Sequence, residues 1–163
     1  MKETSCQNGF TIIELIIAMA IMGVLFTVGY ANFREYSQQK ILEKAVLTIE
    51  GDIRLAQQLA RSGKKIGTCD VLSSYQFTVT SNTSYQIDAK CNNGTFTERI
   101  ETSVFLQTDT TINIPSTNPI DFYVLARGTN IPNSTPALIT VTHPLTGRTK
   151  TISISSSGDT NLQ

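Results

Sequence analysis

Hydrophobic positions along this 163-residue chain fall into three successive regimes. From Phe10 to Phe33 almost every residue is apolar, and Glu14 is the only charged side chain. About 24 such residues make roughly 36 Å of helix, enough to cross a bilayer. From Arg34 onward the pattern turns amphipathic with no proline to stop it. Leu42, Val46, Ile49, Ile53, Ala56 and Ala60 recur at steps of three or four and draw one apolar helical stripe. Arg34, Glu35, Lys40, Glu43, Lys44, Glu50, Asp52 and Arg54 occupy the remaining surface, and Gly63 is a C-terminal stop. The two stretches together predict one helix of about 53 residues, near 80 Å long.

The third regime has the period of strands. Tyr75 to Thr80 alternates with period two, and Ser84 to Lys90 follows across a Ser-Asn-Thr turn. Further strands are expected over Glu98–Gln107, Thr110–Ile114, Ile120–Arg127, Ala137–His143 and Arg148–Ser155. Pro115, Pro119, Pro132 and Pro136 punctuate them, 128–136 reads as a loop, and the tail after Ser157 is expected to fray. A run of strands after one helix argues an α+β fold, with an antiparallel sheet laid on the C-terminal half of the helix. The stripe from Leu42 to Ala60 is then core.

Composition narrows the function. Net charge is zero, so no global basic field argues for nucleic acid or an anionic surface. Charged residues are 16 % of the chain against roughly 25 % in ordinary soluble proteins. The deficit falls in the apolar run and in a Ser/Thr/Asn-rich C-terminal half. An enzyme is hard to build from these residues. The single histidine, His143, precedes Pro144 in a predicted turn, and no nucleophile motif is present. A zinc site would need scattered carboxylates, so neither a metal nor a cofactor is expected. Ser62-Gly63-Lys64-Lys65 lacks the glycine and hydroxyl of a phosphate-binding loop, and Arg61, Lys64 and Lys65 suit the C-terminal end of the helix dipole.

The N-terminus carries the most specific signal. Residues 1–9 form a short polar leader with Lys2 and Glu3 and no apolar core, and the hydrophobic stretch follows Gly9 instead of preceding it. A secretory signal has the opposite order, although Ala18-Met19-Ala20 could imitate its cleavage site. Glu14 inside an apolar run costs roughly 2.5–3.5 kcal/mol on insertion scales, so it needs a partner or must reach the headgroups near the helix end. Gly9, Phe10 and Glu14, in that spacing before an apolar helix, resemble the N-terminus of type IV prepilins and type II secretion pseudopilins. The resemblance implies cleavage at Gly9–Phe10 by a prepilin peptidase, N-methylation of Phe10, and pairing of Glu14 with the N-terminus of a neighbouring subunit. It divides the chain into a leader 1–9, a transmembrane and filament-core helix 10–33, an amphipathic helix 34–62 and a β-rich head 63–163.

The same resemblance implies a single-pass protein of the bacterial inner membrane with its head outside the cytoplasm. Membrane lipid, an inner-membrane assembly platform and other pilins are the implied partners, in a periplasmic pseudopilus or a surface pilus. Ala31 stands where major pilins often carry a helix-breaking proline, which favours a minor pilin or pseudopilin. Ile120-Asp121-Phe122, Gly128-Thr129, the Gly147-Arg148 hairpin and Ile152 to Gly158 resemble the head of H-type pseudopilins and FimT-like minor pilins. Some FimT-like proteins take up DNA through a basic C-terminal stretch. The nearest approach here is Arg148 and Lys150, but two cations on a strand more often form a solvated face, and no clustered basic or aromatic residues accompany them. Removal of the leader takes Cys6 with it and leaves Cys69 and Cys91 outside the cytoplasm. A disulfide closing that loop of about 22 residues would contribute roughly 3 kcal/mol; two unpaired apolar thiols are the alternative.

Overall fold

The computed structural model describes residues 11–65, 69–91, 97–105 and 110–163. For Val28, Ala31, Asn32, Ala126 and strand residues 97–105 it describes the backbone alone. A 51-residue helix, α1 (Ile12–Ser62), comes first. Thr11 caps it: Thr11 Oγ1 accepts from the backbone N–H of Glu14 at 3.4 Å. At the other end Gly63 takes φ +59, and its N–H donates to the Ala60 carbonyl at 3.2 Å. The chain forms two compact units, 1–37 and 38–163.

In the second unit the predicted stripe is core. Leu42, Val46, Ile49, Ile53, Ala56 and Ala60 are buried, and Ala45 joins them. Eight strands follow: β1 (Leu72–Ser81), β2 (Ser84–Cys91), β3 (Thr97–Phe105), β4 (Thr111–Ile112), β5 (Ile120–Tyr123), β6 (Ala137–His143), β7 (Arg148–Ile154) and β8 (Thr160–Leu162), and side chains of β1, β2, β4, β5, β6 and β7 share the core with the stripe. Tyr75, Phe77, Tyr85, Ile87, Ile120, Ile139, Ile152 and Ile154 are buried in the same cluster. The Phe77 and Tyr85 rings lie 5.0 Å apart. Two polar contacts fix the helix against this wall: Tyr85 Oη donates to Asp52 Oδ2 at 2.5 Å, and Gln57 Nε2 donates to the Gly158 carbonyl at 2.7 Å.

The fold is α+β with a long N-terminal helix on antiparallel strands, as the periodicity predicts. The strands form two sheets, however, where one is expected. Their orders are β3-β2-β1-β5 and β4-β6-β7-β8. The division follows from what happens after Tyr123. Leu125 adopts φ 60, ψ 38 within a 3₁₀ turn, Val124–Ala126, and the Tyr123 N–H then donates to the Gly128 carbonyl at 3.0 Å. The expected strand 120–127 therefore ends at Tyr123, and the chain turns back before β6 begins.

Gly128 has φ +84, and a Cβ there would stand 2.9 Å from the Ser156 carbonyl oxygen. Only glycine fits without movement. The tail does not fray either. Gly158 at φ +91 turns the chain, and β8 pairs with β7 through Ile152 opposite Leu162 and Ile154 opposite Thr160. Ser155 Oγ accepts from the Asp159 N–H at 3.0 Å and holds that turn closed.

Ile53 is fully buried at the centre of the helix face. Ile53→Ala is expected to lower unfolding free energy by about 2–5 kcal/mol in denaturant titrations of the detergent-solubilised chain. Gly128→Ala, which demands φ > 0 and displaces Ser156, is expected to lower it by about 1–3 kcal/mol.

Candidate functional site

Gly9 and Phe10 lie outside the described residues, so the structure begins just past the expected scissile bond. Glu14 stands in the first turn of α1, where a negative charge complements the helix dipole. Its backbone N–H is the one that Thr11 caps. Thr11-x-x-Glu14 is a capping-box spacing, a sequence signal that the transmembrane reading passed over. Among the described residues Glu14 has no ion pair.

Around this carboxylate none of the described side chains of the first unit is buried. Ile12, Ile13, Leu15, Ile16 and Ile17 are all more than half exposed, and the pattern continues to Leu25, Phe26 and Phe33 at 67 %, 74 % and 69 %. Phe26 and Tyr30 stack on each other with centroids 6.3 Å apart, and Thr27 Oγ1 donates back to the Val24 carbonyl at 2.8 Å. An apolar surface on every side of a helix must be covered by lipid or by other helices. Among the described residues no helix is long and apolar enough to cross a membrane. The fully described apolar stretch is 11–27, and Val28 beyond it has only its backbone described.

Cys69 and Cys91 are joined by a disulfide, with Cα atoms 5.8 Å apart. Both are buried in the core cluster, and Cys91 stands opposite Leu72 at the end of the β1–β2 pairing. The bond therefore ties the segment leaving the helix to the far end of β2. Nearby, Tyr75 Oη donates to the Lys64 carbonyl, and burial raises the Tyr75 pKa above the ordinary phenol value.

Arg148 and Lys150 stand on the face of β7 opposite His143 and Val141, turned toward the helix. Together with Gly147 and Thr149 they line a cleft against Gln39, Leu42 and Glu43. The Gln39 side-chain oxygen accepts from the Arg148 guanidinium. Glu43 pairs with Lys40 at 2.7 Å, and the hydrogen bond and charge of Lys40, with the charge of Lys150, hold its carboxyl below the ordinary value. His143 is 1 % exposed, and neither ring nitrogen has a hydrogen-bond partner among the described residues. The two candidate cations are thus brought together, but beside a glutamate and a glutamine. Nothing in strand periodicity could have shown that pairing. Among the described residues no three His, Cys, Asp or Glu side chains are grouped as a metal ion would require.

A family profile described as "Prokaryotic N-terminal methylation motif" matches residues 4–30. The chain carries an N-terminal methylation motif, and its N-terminal region is similar to those of type IV pilins. It is 40 % identical over 45 residues to the type IV major pilin protein PilE1 of Neisseria gonorrhoeae, covering 28 % of the chain and 27 % of that pilin. A fimbrial protein of Neisseria meningitidis serogroup B gives the same identity, with 26 % of its own length covered. A fimbrial protein of Pseudomonas aeruginosa is 32 % identical over 60 residues, 37 % of this chain and 39 % of that protein. The chain thus spans between about a quarter and two-fifths of the length of these curated relatives. No solved structure matches it.

Replacing both Cys69 and Cys91 by alanine is expected to cost about 3 kcal/mol of head stability, read by denaturant unfolding. A cost near zero would mean that the bond constrains nothing in the unfolded chain.

Proposed function

We propose that this chain is a structural subunit of a type IV pilus or a type II secretion pseudopilus, present as a minor pilin or pseudopilin. One observation carries the reading. A methylation motif runs into a helix whose apolar side chains are exposed all round, with a single carboxylate in its first turn. In this reading a prepilin peptidase cuts between Gly9 and Phe10, and the new Phe10 amine is methylated. Residues 10–33 first hold the subunit in the inner membrane as a single pass, with the head outside the cytoplasm. The apolar run continues through Val28 to Phe33 in sequence, which supplies the length that 11–27 alone lacks. Afterwards the same surface packs against other pilin helices in a filament.

Glu14 sets the register of that packing. Leaving either a carboxylate or a terminal amine unpaired in an apolar interior costs several kcal/mol, so one charge per subunit has one favourable axial position. The head resembles those of H-type pseudopilins and FimT-like minor pilins, and the disulfide fits an oxidising compartment. A DNA-receptor role would have to draw on Arg148 and Lys150. Glu43 and Gln39 stand beside them, and the subunit reading needs no such contact.

Incubation with a prepilin peptidase is expected to shorten the chain by nine residues, and a bulky replacement of Gly9 should slow the cut at least tenfold. An unaffected rate would remove Gly9 from the reading. Glu14→Ala is expected to leave processing and membrane insertion intact while incorporation into filaments falls about tenfold or more. Filaments recovered with undiminished content of this variant would contradict the pairing.

A further inference from the structure

The turn that follows β5 carries two features that the core does not explain. Val124 packs against the core, but the next residue, Leu125, is 67 % exposed. Leu125 also holds φ 60, in the left-handed region that a leucine disfavours and that glycine or asparagine adopts easily. The head thus strains its backbone and shows an apolar side chain to solvent. Strain kept at an exposed position, with little buried area gained in return, points to a contact made outside the chain.

Positive charge is concentrated around the same side chain. Leu125 Cδ2 lies beside Gly63, just past the end of α1: a Cβ built on that glycine would stand 3.9 Å from it. Arg61, Lys64 and Lys65 flank Gly63, and Arg127 follows two residues after Leu125. Arg61 lines a small cleft with Tyr123 and Gly128, which brings it to the same turn. Tyr75 Oη donates to the Lys64 carbonyl and Lys65 Nζ to the Asp70 carbonyl, so this corner is tied to β1 and to the segment before it. These cations are exposed, and they all belong to the second unit. Among the described residues the side chains of Arg61, Lys64 and Arg127 make no ion pair or hydrogen bond. Asp70 and Asp159 stand at the edges, the latter with its carboxylate held by the Ser157 hydroxyl, and Asp121 is matched by Lys90 at 3.7 Å. The corner keeps a positive excess on a neutral chain. A helix C-terminus offsets only about half a charge, and Arg127 comes from a different element.

We infer that Leu125 and the cations around it form a docking site for an acidic segment of a partner protein. That segment sets an apolar side chain on Leu125 and carboxylates on Arg61, Lys64 and Arg127. Charge complementarity selects an acidic partner, and planar guanidinium groups suit bidentate carboxylate contacts. The leucine selects polypeptide: nucleic acid offers phosphates but little for an aliphatic side chain to cover, and one leucine is too little apolar surface to hold a lipid interface. The site does not depend on the membrane and filament roles proposed above.

The test titrates the full-length chain, in uncharged detergent, into fluorescent probes, with anisotropy read against empty micelles. The probes are an alternating glutamate–leucine peptide, a polyglutamate peptide of equal charge, and a DNA duplex. The first should bind at least about fivefold tighter than the second, and the duplex most weakly. Arg61→Gln combined with Arg127→Gln should weaken both peptides at least about tenfold and flatten their salt dependence. Leu125→Asn should remove the advantage of the leucine peptide while the melting temperature holds or rises, because asparagine tolerates the left-handed backbone. A merely structural leucine would instead lower the melting temperature and leave the ratio of the two peptides unchanged. That result overturns the inference, as does an absence of peptide binding, a leucine peptide no tighter than polyglutamate, or a duplex that binds tighter than either.

Discussion

The apolar stripe of α1 from Leu42 to Ala60 can leave water only by lying against strands, and this constraint organises the head. Burying a Leu, Ile or Val side chain gives roughly 1.5–3 kcal/mol, so the stripe supplies the largest single term available to an otherwise polar, Ser/Thr-rich segment. Both sheets contribute buried aliphatic side chains to the same core, and Tyr85 and Gln57 add directional bonds that fix the helix in place. The disulfide closes the segment between the helix end and β2 against that same core.

The first unit presents the opposite situation. Among the described residues from Ile12 to Phe33 the large apolar side chains are all exposed, and covering them is worth on the order of 20 kcal/mol even at the low end of the usual range. Glu14, at roughly 3 kcal/mol, is too small a penalty to prevent that burial. It can, however, decide among arrangements that bury the rest equally well. That asymmetry is what turns a greasy helix into one with a preferred axial position, in the assembly proposed here. Thr11 and the helix dipole already stabilise the first turn, so the side chain of Glu14 is not needed there as a cap acceptor.

Much of the head was legible locally. Steps of three and four gave the buried helix face residue by residue, and period-two alternation gave β1, β2, β6 and β7 nearly to their ends. The pairing of strands was not legible, because it is decided by turns. Leu125 in a left-handed conformation ends β5 early, and no propensity scale places a leucine there. Thr160-Asn161-Leu162 is too short and too polar to read as a strand; the Gly158 turn brings it beside β7, and pairing does the rest. At the N-terminus the capping-box spacing was present in the sequence but was overshadowed by the apolar run behind it. The contact of Arg148 with Gln39 joins residues more than a hundred positions apart, so only the folded head reveals it.

The central claim is that Gly9 is where the chain is cut and that Phe10 then begins a helix built for assembly. Intact-mass and N-terminal sequence analysis of the mature polypeptide from cells tests it most directly. The account predicts a mature chain that starts at a methylated Phe10. A mature chain beginning at Met1, or after Ala20, would contradict it.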